Sequence, residues 1–121
     1  MVLCGLSAGS LCWFEAGLTA FHSQSCTIRG LGLLPHSNAV HYDTDRDRRP
    51  AYQAAVAAGL PAGYAADDGA ALHFFGTELA DVVASRPGAQ AYRVEAVGAS
   101  AIETPLPARY LGVTDPIAVL A

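Results

Sequence analysis

Lysine is absent, and all seven basic residues are arginine. Charged residues of either sign make up only 15% of the chain, and the net charge is −4. Nucleic-acid binding needs a basic face to neutralise phosphates, so that class is excluded as a partner. The three cysteines (Cys4, Cys12 and Cys26) are an odd number without CxxC spacing. This excludes a disulfide framework and a zinc site, and it favours a reducing compartment. No apolar run approaches the ~18 residues of a membrane span, so no membrane partner is expected. The apolar start MVLCGLSAGSLCWF has no positive n-region. It does not read as a signal peptide, and the expected location is the cytoplasm. Low charge combined with a mean hydropathy of +0.29 excludes a disordered tail.

The chain carries 121 residues, 52% of them apolar, which is enough for one domain and too little for two. Its charged fraction lies well under the usual ~25%. Such a chain either buries both faces of a sheet or leaves apolar surface for something else to cover. Val2-Leu3-Cys4, ended by Gly5, reads as the tail of a buried strand, and Ala8 to Phe14 as a helix. Residues 15–38 hold five Gly, Pro or Asn breakers and read as loop. Ala39 to Tyr42 reads as a strand, and the helix 51–58 opens on Pro50 and closes at Gly59. Asp67-Asp68-Gly69 reads as a hairpin turn between strands 64–66 and 70–75. Strands 79–84 and 90–97 follow, and residues 98–121 are left unassigned. Strand–helix alternation predicts an α/β fold of three layers, with a mostly parallel sheet flanked by helices.

Gly5-Leu6-Ser7-Ala8-Gly9 matches G-x-S-x-G, the nucleophile elbow. The chemistry explains the spacing. A serine on a sharp strand-to-helix turn exposes its hydroxyl, and glycines at both flanks avoid clashes. The N–H of Ala8, next in the chain, is the natural oxyanion donor. A nucleophilic serine also needs a base. Of His22, His36, His41 and His73, only His41 ends an expected strand, on the sheet edge where the elbow lies. Without further information, Arg46, Arg48 and Arg49 read as a solvated turn paired with Asp43, Asp45 and Asp47.

The blocks GLSAGSLCWFEAGLT, LGLLPHSNAVHYD, RRPAY and GYAADDGAALHF occur in that order, within a similarity that runs from residue 2 to about 97. Together they resemble the peptidase E family of serine peptidases. Relatives include cyanophycinases and glutamine-amidotransferase-like α/β domains. The resemblance implies Ser7 as nucleophile and His41 as general base, although Val40 stands where the family often has Pro. It implies cleavage after an N-terminal Asp in short Asp-Xaa peptides through an acyl-enzyme, with no metal and no cofactor. It also implies an arginine for the substrate's Asp side chain, with Arg48 first and Arg49 second. A guanidinium can hold a carboxylate bidentately. A homodimer is compatible with the sequence.

The chain departs from the family in two respects. Many relatives carry an Asp shortly after the WFE block, where this chain has Ala20. Glu15 and Asp43 are the candidate replacements, with Glu15 preferred. Relatives are also about twice as long. Residues 1–121 are therefore expected to be the C-terminal half of the catalytic domain, truncated at the N-terminus. The competing reading is an inactive remnant or binding module of the same fold. An α/β-hydrolase esterase shares the elbow but leaves HYD and RRPAY unexplained.

Overall fold

The computed structural model describes residues 1–22 and 24–112. The elements run α1 (Ala8–Leu11), β1 (Phe14–Phe21), β2 (Gln24–Arg29), β3 (Leu34–Ala39), α2 (Arg48–Ala57), β4 (Gly63–Ala66), β5 (Ala70–Phe75), β6 (Glu78–Ala84), β7 (Ala91–Val97), β8 (Ser100–Leu106) and β9 (Arg109–Tyr110). One sheet has six strands in the order β2-β1-β3-β4-β7-β8, and a smaller one has the order β5-β6-β9. In the larger sheet only β1–β3 and β3–β4 run parallel, while β1–β2, β4–β7 and β7–β8 are antiparallel. The α/β class holds, but the sheet is mixed rather than mostly parallel.

Alternation along the strands separates the two faces of the large sheet. Leu18, Ala39, Ala65 and Val94 point to one face, where they meet Tyr42, Tyr52 and Val56 in the core. Helix α2 supplies Tyr52 and Val56, both fully buried. Its start tolerates Pro50 because first-turn N–H groups have no intrahelical acceptor. Its end is a Schellman closure: Leu60 N–H bonds Ala55 O, Gly59 N–H bonds Val56 O, and Gly59 takes φ +121°. On the opposite face the ring of Phe74 from β5 lies 5.6 Å from Phe14 and 5.4 Å from Tyr64. A register irregularity between Phe14 and Ala16 turns Phe14 away from the face used by Leu18. Leu11 of α1 packs beside Gly17, where a Cβ would crowd its side chain.

Several local expectations change. Val2–Cys4 is not a strand, and Val2 and Leu3 are exposed. Residues 15–38 hold most of three strands instead of a loop. β4 and β5 do not form a hairpin: the Asp67–Gly69 turn carries the chain from one sheet to the other. β8 and β9 occupy part of the unassigned stretch, whose residues 113–121 lie outside the described ones. Among the described residues no helix is long and apolar enough to cross a membrane.

Candidate active site

Ser7 precedes α1 with φ +56° and ψ −125°, a conformation that L-residues seldom adopt. A Cβ on Gly5 would collide with the carbonyl oxygen of Gly9, so the first glycine of the elbow is required by contact. Gly9 is different, because a Cβ there would meet nothing within 4 Å. The elbow is anchored from below. Leu11 is buried at 1% exposure, and Ser10 Oγ donates to Asn38 Oδ1 at 2.8 Å. Asn38, itself fully buried on β3, donates to Tyr64 O at 2.8 Å. These bonds fix α1 against the strand that leads to His41.

His41 follows β3 by two residues and also has positive φ, +54°. Its Nε2 lies 2.8 Å from Ser7 Oγ, and its Nδ1 lies 2.6 Å from Asp68 Oδ1. An ionised carboxylate can only accept, which places the imidazole proton on Nδ1. Nε2 is then the acceptor for the serine hydroxyl. Asp68 Oδ2 accepts from Thr44 Oγ1 at 3.0 Å. The hydrogen bond from His41, followed by that from Thr44, holds the Asp68 carboxyl below its ordinary range. The pair is only partly screened from water, with side chains 41% and 43% exposed. The Ala8 N–H has no backbone acceptor among the described residues, as expected at the first position of a helix.

This Ser-His-Asp arrangement uses a carboxylate that sequence reasoning assigned to turn chemistry. Glu15 is exposed on β1 and has no side-chain hydrogen bond to His41 among the described residues. Ala20, also exposed on β1, pairs with Ser25 of the β1–β2 hairpin. Asp43 does not reach the imidazole, and its Oδ1 accepts instead from the Asp68 N–H. The arginines are placed differently from expectation as well. Arg48 is buried at 6% exposure and donates to Val40 O and Asp45 Oδ2. Arg49 donates to Glu103, and its guanidinium carbon lies 4.8 and 4.7 Å from the ring centroids of Tyr42 and Tyr92. Both guanidiniums thus serve the chain itself. Arg46 is exposed and makes no ion pair among the described residues. Of the other histidines, His36 bonds Thr77 O through Nε2. Among the described residues no three His, Cys, Asp or Glu side chains are grouped to hold a metal ion.

With this geometry established, comparison with known proteins identifies the family. Residues 1–82 match peptidase family S51. The chain belongs to that family. This is the peptidase E grouping that the sequence blocks resemble. The S51 chain is 48% identical over 113 residues to an uncharacterized peptidase, YgaJ, of Bacillus subtilis (strain 168). The matched region covers 93% of the S51 chain and 49% of that relative, so the chain spans about half the relative's length. No solved structure matches it.

Proposed function

We propose that this chain carries the nucleophile of a serine peptidase. Ser7 Oγ attacks the scissile carbonyl carbon while its proton passes to His41 Nε2. Asp68 stabilises the resulting imidazolium without itself taking the proton. The tetrahedral oxyanion forms beside the Ala8 N–H. Collapse breaks the C–N bond, and the leaving amine receives the proton from Nε2. Water, deprotonated by the same nitrogen, then hydrolyses the acyl-enzyme to release the acid and restore Ser7.

The observation that carries this reading is the 2.8 Å contact between Ser7 Oγ and His41 Nε2, made by two residues that both hold positive φ. Such conformations cost of order 1–3 kcal/mol each and cluster at functional sites. The reading of the chain as an inactive remnant rested on Ala20 at the acid position and on the short length; the contact of Asp68 with His41 at 2.6 Å supports an acid supplied from another part of the chain. Preference for an N-terminal Asp follows from the family resemblance. With Arg48 and Arg49 engaged elsewhere, Arg46 is the arginine of this turn left for a substrate carboxylate.

A fluorophosphonate tests the nucleophile directly. The Ser7 Oγ–P bond forms, P–F breaks, and the serine proton leaves through His41. Labelling should map to Ser7, disappear in Ser7→Ala and in His41→Ala, and accompany hydrolysis of Asp-Leu. A folded chain that hydrolyses no Asp-Leu and is not labelled at Ser7 would overturn the proposal. Hydrolysis of Asp-Leu that collapses in Arg46→Ala through KM, with Ser7 labelling intact, is the result expected for substrate recognition.

A further inference from the structure

The turn that presents Asp68 is not held by a hairpin ladder. β4 ends in the six-stranded sheet and β5 begins in the three-stranded one, and Gly69 between them has φ +86°. The Asp68 side chain is 43% exposed, so packing does not confine it. Two side chains hold its backbone instead. Asp43 Oδ1 accepts from the Asp68 N–H at 2.8 Å. Arg86 donates to the Asp68 carbonyl from Nε at 3.2 Å and from a terminal nitrogen at 2.8 Å. The same terminal nitrogen of Arg86 also pairs with Asp43 Oδ2. The stem of Arg86 lies over Gly69, where a Cβ would come within 3.1 Å of the Arg86 Cβ. The neighbouring bonds hold Asp67 and Gly69 rather than Asp68: Asp67 N–H to Gln90 O, and Ser85 N–H to Gly69 O.

We infer that Asp43 and Arg86 form a bracket that aims the Asp68 carboxylate at His41, which makes both of them positioning residues for the proton relay. The inference rests on the triad reading above. Asp43 stands two residues beyond His41, so it ties the loop of the base to the turn of the acid. Arg86, two residues past the end of β6, ties that turn to the smaller sheet. With the N–H and the C=O of Asp68 both held, its carboxylate has only side-chain torsions left to set the 2.6 Å contact. The turn stays closed by the Ala70 N–H to Asp67 O at 3.0 Å, but loss of the bracket releases the Asp68 N–H and C=O within it, and displacements of about 1 Å at a reacting group can cost 10²-fold in rate.

The test is the rate of Ser7 phosphonylation in Arg86→Ala, Arg86→Lys and Asp43→Asn, each made alone and in the Asp68→Asn background. Arg86→Ala is expected to react about 10- to 100-fold more slowly. Arg86→Lys should recover part of the rate, and free guanidinium should restore part of it to Arg86→Ala. In the Asp68→Asn background Arg86→Ala should slow the reaction no further, because it acts only through Asp68. Wild-type rates in Arg86→Ala, or an equal slowing with and without Asp68, would overturn the bracket. If Arg86→Ala fails to fold, Arg86→Lys and Asp43→Asn carry the same comparison. A slow Asp68→Asn variant beside an unaffected Arg86→Ala refutes the bracket alone. A fast Asp68→Asn variant refutes the triad reading beneath it.

Discussion

Asp68→Asn removes one charge from the relay and keeps the shape of the side chain. The benefit lost is the attraction between the carboxylate and the imidazolium formed during attack. With charge centres taken as about 4 Å apart, that attraction is ~1 kcal/mol in bulk water and ~4 kcal/mol at an effective dielectric constant near 20. Side chains 41% and 43% exposed place the pair between these limits. At ~1.4 kcal/mol per factor of ten, the expected slowing runs from about fivefold to about 10³-fold. A triad whose acid is fully buried loses about 10⁴-fold on the same change, so the exposed site should lose less. The assay is Ser7 phosphonylation followed by intact-mass spectrometry near neutral pH, with circular dichroism to confirm folding. Glu15→Gln, a change on the exposed face of β1, should stay within about twofold of wild type. A folded Asp68→Asn variant slowed less than about threefold, beside a strongly slowed Glu15→Gln, would refute the assignment of the acid.

Three other outcomes follow from packing and charge. Gly5→Ala should abolish labelling at Ser7, because its Cβ would strike Gly9 O, whereas Gly9→Ala should keep it, because that side of Gly9 is open; mass spectrometry of the two labelled variants decides. Leu11→Ala should destabilise the chain by about 2–5 kcal/mol, the usual range for a fully buried leucine, as read from a urea titration. Asp67 is buried at 7% exposure with Oδ1 unpartnered, and burial raises its carboxyl above the ordinary value. Its ionised form therefore destabilises the fold at neutral pH. Asp67→Asn should raise the melting temperature at pH 7, and the gain should vanish as pH falls below the ordinary carboxyl value, ~3.9. An equal gain at both pH values would contradict the stated cause.

The meeting of Ser7 and His41 was legible because the signals of both are local. The elbow is a turn whose backbone requires Gly5, and His41 follows a short strand. The contact of Asp68 with His41 was not legible, because such a partner needs only to arrive in space, 27 residues away. The residues around it, Asp67 and Gly69, satisfied a turn rule, and the turn is there. What the rule could not convey is that β4 and β5 leave it into different sheets. A carboxylate just past a strand that pairs with the His strand is the cue that would have found it. The strands between residues 14 and 39 were hidden for a separate reason. β2 is exposed along its whole length and so shows no apolar alternation. β3 buries Ser37 and Asn38, polar residues that look like loop until their partners are seen. Ser37 Oγ bonds the Tyr52 hydroxyl and Pro61 O, while Asn38 bonds Tyr64 O and accepts from Ser10. The intramolecular contacts of Arg48 and Arg49 were not legible, because cation–π stacking and a buried carbonyl contact leave no mark in the sequence.

The crossing of the chain between two sheets at Asp67–Gly69 has a consequence for the order in which this protein gains reactivity during folding. The serine and its base are 34 residues apart, and base and acid are 27 apart. Contacts over such separations form only after the loop-closure entropy has been met. In the native fold Asp68 is held by Arg86, which follows β6 of the smaller sheet, so its contact with the imidazole is expected to form late, once both sheets exist. Ser7 is thus a chemical clock for refolding. When the probe is pulsed into a refolding mixture, fast labelling should begin only after the backbone of the large sheet is protected from hydrogen exchange, and the delay measures the docking of the smaller sheet.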